Sequence, residues 1–333
     1  MNYQKIVKNK IQCLICPRTC ILAEGQFGFC RTIKNENNSL ILTVLNHITG
    51  INIDPIEKKP LYHFFPNSPI LSFGTTGCIM GCRFCQNYQT SKSKIEANKL
   101  PYIEPNEIIK IAKENNIKLI AFTYNDPIAF LEFAINCAKL AKKEGIKTVA
   151  VTSGFINKEP AKEFLSYVDA LNIDIKGFSE KFYNKNCFAK LAPVLDFIKL
   201  AYEMKKHIEL TTLLIEGEND FEDEIKKEAN WIKNNLNENI PLHFSAFFPT
   251  YKFKNKKRTS YETLKKAYEI AKKEGLKNLY TGNLTTIETS TTYCTNCNKP
   301  LIIRNGYKIE EYNLENNRCK FCKTEQYGEF SFH

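Results

Sequence analysis

Between Ile70 and Gly275 six short, almost wholly apolar runs are each followed by a longer segment whose apolar residues recur at helical spacing. The runs are 70–76, 118–124, 147–153, 169–175, 208–215 and 241–247. Helical patterns follow at 104–116, 127–145, 158–168, in a pair ending near His207, at 221–236 and at 260–275. Runs this apolar suit strands buried on both faces, while Lys and Glu mark the outer faces of the helices. Parallel strands with helical crossovers predict an α/β fold, and the repeat count suits a partial or complete (β/α) barrel.

In such a barrel the chemistry belongs at the C-terminal strand ends, and here those ends are polar. The first leads to Cys78, the second to Thr123, Tyr124, Asn125 and Asp126, the third to Thr152, Ser153 and Gly154. Asp174 and Lys176 follow the fourth, Glu216, Asn219 and Asp220 the fifth, and Ser245 closes the sixth. Each also has a plainer use: Asn219 with Asp220 can start the next helix, and Lys176 can simply pair with Asp174.

The rest of the chain is organised by cysteine. Eleven of the 13 fall into three groups: Cys13, Cys16, Cys20 and Cys30; Cys78, Cys82 and Cys85; Cys294, Cys297, Cys319 and Cys322. No apolar run approaches the roughly 20 residues of a bilayer-spanning helix, and the opening MNYQKIVKNKIQC lacks a signal peptide's apolar stretch. A cytoplasmic protein with no membrane partner is expected, and there so many cysteines point to metal rather than disulfides. Cys137, set among Phe133, Ala134, Ala138 and Ala141, reads as a buried hydrophobe; Cys187 has no assigned role. The net charge of +11 permits an acidic partner without requiring one. Nucleotide hydrolase, Rossmann dehydrogenase and zincin readings lack their motifs, GxxxxGK[ST], GxGxxG and HExxH.

Gly77-Cys78-Ile79-Met80-Gly81-Cys82-Arg83-Phe84-Cys85 lets three thiolates close on one small object from a single loop. A four-iron cluster held only for electron transfer takes four cysteines, so three leave one iron open. Structural zinc is the other reading; it needs a fourth ligand, for which His63 is the nearest histidine.

The chain resembles the radical S-adenosylmethionine (radical SAM) superfamily, within it the pyruvate formate-lyase activating enzyme-like group, and more closely the AmmeMemoRadiSam-system radical SAM enzymes. The resemblance rests on CPRTC with its flanking cysteines, DPIEKKPLYHF (54–64), GCIMGCRFCQN (77–87), AFTYNDP (121–127), DALNIDIKGF (169–178), HFSAFFPTYKF (243–253) and YTGN (280–283). It implies a radical SAM enzyme, related to activating-enzyme oxidoreductases, whose Cys78, Cys82 and Cys85 hold a [4Fe-4S] cluster with S-adenosyl-L-methionine (SAM) chelating the open iron. It further implies cleavage of SAM to a 5′-deoxyadenosyl radical, hydrogen abstraction from a substrate, and an electron donor such as flavodoxin or ferredoxin. Phe84 would pack on the adenine. Asn125 and Asp126 stand where the superfamily often has Gly-Gly-Glu, and with Ser153 and Asp174 they are the expected SAM contacts.

The tail's two Cys-x-x-Cys knuckles, 21 residues apart, match a zinc ribbon. A tail of this size has little core, so the metal would supply folding energy. A ribbon can bind nucleic acid; a structural cap is the simpler role. The N-terminal four cysteines fill every ligand position and bind either zinc or an auxiliary cluster. The expected division is 1–69 cysteine-rich segment, 70–290 core barrel, 291–333 tail. The basic run Tyr251–Arg258 can steer an acidic or phosphate-bearing substrate or serve as a solvated loop. Lys58, Lys59, His63 and His243 are candidates for substrate-facing or supporting roles, or for satisfied core positions. Three functions compete: a radical enzyme acting on a polypeptide, one acting on a small molecule or nucleotide, and a non-catalytic zinc-rich module binding nucleic acid or protein.

Overall fold

The computed structural model describes residues 3–92 and 96–332, which fall into two compact units. The first comprises 1–54, 69–171 and 184–206; the second comprises 55–68, 172–183 and 207–333.

In the first unit, β1 (Pro69–Gly74), β2 (Leu119–Phe122) and β3 (Lys147–Thr152) pair in parallel, in that order. Helices α1 (Pro105–Glu114), α2 (Leu131–Lys143) and α3 (Lys158–Leu165) follow them in turn. All four residues of β2 are buried, as its unbroken apolar sequence requires. Cys137 is buried on the inner face of α2 with Phe133, Ala134 and Ala138, the packing role expected of it. Strand β4 (Ala170–Asp174) has its first two residues in this unit and its last three in the other. Helix α4 (Ala192–Glu203) closes the unit.

The cysteine-rich start is built from short antiparallel pieces. Gln4–Val7, Lys10–Cys13 and Ile21–Leu22 form one sheet. Ile33–Glu36 and Ser39–Leu42 form a hairpin whose turn residues, Asn37 and Asn38, both have positive φ, as tight hairpin turns favour.

In the second unit, β5 (His207–Leu214), β6 (Leu242–Ala246) and β7 (Leu279–Gly282) pair in parallel; α5 (Glu222–Asn235) and α6 (Tyr261–Lys273) follow β5 and β6. Every residue of β6 is buried. The tail adds an antiparallel sheet of Thr292–Tyr293, Pro300–Asn305 and Lys308–Tyr312. The architecture is the expected α/β succession, with β7 as a strand beyond the six read from the sequence. No helix among the described residues is long and apolar enough to cross a membrane.

Candidate functional site

The three-cysteine loop leaves β1 through two glycines that tolerate no side chain. A Cβ on Gly74 would lie 2.1 Å from the Thr123 carbonyl oxygen. One on Gly77, at φ +78°, would lie 2.3 Å from the Cys30 carbonyl oxygen. Glycine is therefore dictated by a left-handed backbone at Gly77 and by close chain approach at both positions.

Asn125, at the end of β2, grips the start of this loop. Its Oδ1 accepts from Thr75 N at 3.0 Å, and its Nδ2 donates to the carbonyls of Thr76 and Gly77 at 3.1 and 2.9 Å. The preceding Tyr124 sits at φ +68°, an uncommon position for a bulky residue. Its carbonyl accepts from Asn87 Nδ2 at 2.7 Å, just past Cys85.

Asp126 and Ser153 come together. One Asp126 oxygen accepts from Ile128 N at 3.1 Å and Thr152 Oγ1 at 3.0 Å; the other accepts from Ser153 N at 2.9 Å and from its hydroxyl. Burial raises the Asp126 pKa, and these bonds oppose the shift. Four donors occupy the carboxylate's roughly four acceptor sites, so Asp126 locks the end of β3 to that of β2.

Within the loop, Cys82 is buried and Cys78 and Cys85 are partly buried. Burial pushes the Cys78 thiol up to about 12 and also raises that of Cys85. Lys92 opposes both shifts electrostatically and donates to the Met80 carbonyl. Cys85 Sγ lies 3.1 Å from Ser91 Oγ. On another side, Gly81 N donates to the Cys187 carbonyl and Arg83 N to that of Asn186, each at 2.8 Å. Cys187, without an expected role, thus serves through its backbone. Phe84 is buried beside the third cysteine.

The N-terminal segment packs directly on the loop. Cys78 N donates to the Cys30 carbonyl at 3.2 Å. Arg18, from the Cys-Pro-Arg-Thr-Cys turn, donates through Nε to the Ile79 carbonyl at 2.6 Å and through a terminal nitrogen to that of Phe188. Its guanidinium lies 3.4 Å over the Phe29 ring, a cation–π contact. Burial lowers its pKa, while Cys16, Cys20, Cys78 and Cys82 oppose the shift, which places Arg18 within the field of both cysteine groups. Sequence reasoning passed over Arg18; its place between Cys16 and Cys20 was the available signal.

In the second unit, Asp174 pairs with Lys176 at 2.7 Å. Asn219 is structural: Oδ1 accepts from Ile215 N, and Nδ2 donates to the carbonyls of Leu213 and Lys176. Glu216 accepts from Ser260 N, Ser260 Oγ and Thr263 Oγ1, fixing the start of α6. From the basic run, Lys256 pairs with Glu218 at 2.6 Å and Arg258 lies 4.2 Å over Phe248.

His63, His207 and His243 belong to a buried network at the opposite, N-terminal ends of the unit's strands. Glu209 accepts from His207 Nε2 at 3.1 Å, His243 Nε2 at 2.7 Å, Tyr62 N at 3.0 Å and His63 N at 2.7 Å. Burial alone would raise its pKa; the bonds from His207 and His243 outweigh it and hold the carboxyl well below its usual range. His63 Nδ1 donates to the Tyr327 carbonyl at 2.6 Å, leaving Nε2 to accept from Tyr280 OH at 2.6 Å. Arg304 has no exposed surface; it donates to the Tyr62 carbonyl at 2.7 Å and to Thr292 Oγ1 at 2.8 Å, and lies 3.8 Å from Glu57.

The tail cysteines converge. Cys294 and Cys322 sulfurs are 3.5 Å apart, those of Cys297 and Cys319 are 3.8 Å apart, and all four lie within 4.8 Å of one another. A tetrahedral ion with metal–sulfur bonds of about 2.3 Å needs edges of about 3.8 Å, so the four thiols fit one such ion. Cys297 N and Gln326 Nε2 donate to Cys294 Sγ at 3.5 and 3.6 Å, support expected around a ligand sulfur.

Residues 73–232 match the model of the Radical SAM superfamily. An uncharacterized protein of Methanocaldococcus jannaschii is 40% identical over 326 residues, covering 97% of this chain and 96% of its own. A second from that organism is 26% identical over 291 residues, 83% of this chain and 79% of its own. Among solved structures, a radical SAM methyltransferase from Sphaerobacter thermophilus aligns with a TM-score of 0.51 at 14% identity, over 66% of this chain and 67% of that one, a likeness of fold. The chain belongs to the radical SAM superfamily. Membership makes it an enzyme of that superfamily and implies SAM and a [4Fe-4S] cluster.

Proposed function

We propose that this enzyme cleaves SAM reductively at a [4Fe-4S] cluster held by Cys78, Cys82 and Cys85, and abstracts a hydrogen atom from a polypeptide substrate. The observation that carries the reading is the loop itself: three thiols on one tightly held turn, flanked by Lys92 and Arg18. Three thiolates leave a ligand position for SAM, and two cations suit the negative charge of the loaded site. When bound, the reduced cluster supplies the electron that breaks the sulfonium carbon–sulfur bond, releasing methionine and a 5′-deoxyadenosyl radical.

The protein's part is position and exclusion of water. Asn125 fixes the entry to the loop, and the carbonyls of Asn186 and Cys187 fix its middle. Asp126 sets the strand end carrying Ser153, and its contact with SAM is indirect, through that end. Asn125, Ser153, Asp174 and buried Phe84 retain their proposed roles as cofactor contacts, with Phe84 against the adenine. A polypeptide target follows from the motif resemblance to activating enzymes, as does a flavodoxin- or ferredoxin-type electron donor. The tail holds a structural zinc ion in its four thiolates.

The test is anaerobic reconstitution with iron and sulfide, then incubation with SAM and dithionite. 5′-Deoxyadenosine and methionine are the expected products, and Cys82→Ala should abolish both while retaining the tail metal. A colourless chain that holds zinc alone after that handling would refute the enzyme reading. Deuterium transferred from a labelled polypeptide into 5′-deoxyadenosine supports the substrate class; transfer only from a small molecule or nucleotide overturns it.

A further inference from the structure

We infer that Cys13, Cys16, Cys20 and Cys30 hold a second iron–sulfur cluster, which passes electrons to the SAM-binding loop through the contact between Cys30 and Cys78. The relay role rests on the function proposed above; the identity of the second centre does not.

Three observations converge. The first is spacing. Cys13, Cys16 and Cys20 run Cys-x-x-Cys-x-x-x-Cys, the reverse of the Cys-x-x-x-Cys-x-x-Cys at Cys78, Cys82 and Cys85, and Cys30 adds a fourth ligand. A cluster with four cysteines has no open iron and serves electron transfer.

The second is the spread of the sulfurs. Among the described residues, the tail is the one place where three or more potential ligand atoms all lie within 4.8 Å of one another. The N-terminal four and the three of the SAM loop are spread more widely, as ligands around several irons must be. The Cys20 and Cys30 sulfurs still flank one point. A Cβ on Gly28 would lie 3.6 Å from Cys30 Sγ and 3.9 Å from Cys20 Sγ. Cys13 N also donates to the Cys20 carbonyl at 2.9 Å, closing the turn between the first and third cysteines.

The third is contact. Cys30, a ligand of one group, accepts through its carbonyl from the amide of Cys78, a ligand of the other, at 3.2 Å. Arg18, set between Cys16 and Cys20 in the chain, binds the loop at Ile79. Ile79 and Met80 are buried, each 2% exposed. An electron arriving at the N-terminal centre thus has a short path of covalent bonds and one hydrogen bond. The step is a one-electron exchange: a reduced flavodoxin- or ferredoxin-type carrier is oxidised, the N-terminal cluster is reduced and then reoxidised as the same electron reduces the cluster proposed at Cys78, Cys82 and Cys85, and no bond forms or breaks.

The test starts from a chain with Cys78, Cys82 and Cys85 all changed to Ala, purified anaerobically and reconstituted with iron and sulfide. Retention of a cluster, with an electron paramagnetic resonance signal on reduction, is expected, and its loss on adding Cys16→Ala and Cys20→Ala. An iron-free triple variant with zinc at both the N-terminal and tail sites overturns the inference. Because the triple variant cannot cleave SAM, its metal content is independent of the proposed activity. The intact chain supplies a second readout that needs no folded variant. Two cluster signals should appear, only one shifting when SAM is added; a single signal that shifts wholly overturns the second centre. For the relay, Cys16→Ala/Cys20→Ala in the otherwise intact chain should slow reduction of the remaining cluster by flavodoxin; an unchanged rate overturns that role.

Discussion

Asn125 Nδ2 donates to the carbonyl of Gly77 at 2.9 Å, so the residue just past β2 holds the loop that leaves its neighbour β1. Three hydrogen bonds from this one amide hold the start of the loop.

Asn125→Asp should damage the site without dismantling the chain. It places an oxygen against the Thr76 and Gly77 carbonyls in place of two N–H groups. Leaving such buried groups unmatched costs on the order of 2–3 kcal/mol. Denaturant unfolding should show this loss, and iron per chain should fall while tail metal stays constant. Unchanged iron would argue against the grip.

Gly77→Ala and Gly217→Ala form a matched pair. Both backbones are left-handed, at φ +78° and +74°, but an added Cβ meets Cys30 at the first and nothing within 4 Å at the second. The second variant should cost about 1 kcal/mol from strain alone. The first should also lose its cluster, seen as bleached visible absorbance. Equal behaviour of the two would remove the Cys30 contact from the account.

Stability should fall as pH rises from about 4.5 to about 8 because of Glu228. Burial raises its pKa from the usual 4.5 to about 8, with Thr212 donating to it. Between those values the folded chain holds a proton that the unfolded chain has released, so stability is lost as pH rises through the window. Glu228→Gln should flatten the slope, on the order of 3 kcal/mol between pH 5 and 8. His63 acts in acid: burial lowers its pKa from 6.5 to about 4, so its contribution is lost as pH falls through that interval. Thermal melting across pH 4 to 8 reads both effects, and a variant as pH-dependent as the parent discards the assignment to Glu228.

Metal removal should separate the tail from the rest. The four converging thiols fit one ion, and a small metal-built fold loses its stability with its metal. A strong chelator under mild denaturant should release zinc and lower the melting temperature. Release of iron from a Cys78/Cys82/Cys85→Ala and Cys16/Cys20→Ala chain would reassign the tail.

The strand–helix succession was readable because β2 is wholly apolar and the helices between strands carry a clear amphipathic period. β7, four residues long, and Gly50–Pro55, a partly exposed strand beside β1, carry too little pattern to stand out. The convergence of Cys294, Cys297, Cys319 and Cys322 was readable from their spacing. The parts that escaped act through backbone or over long separations. Nothing in the residue type of Cys187 foretells that its carbonyl will hold Gly81, and Arg18 meets Ile79 across 61 positions. His63 and His243 were visible as candidates, but only folding joins them through Glu209 at the strand ends away from the expected chemistry.

That network bears on how the chain can be dissected. A fragment ending at Ser290 would delete Arg304 and the Tyr327 carbonyl, stranding the His63 ring without its acceptor and Glu57 without its counter-charge. The terminal segment is thus no detachable cassette, and a trimmed enzyme built for crystallisation would need apolar replacements at these positions before it stayed in solution.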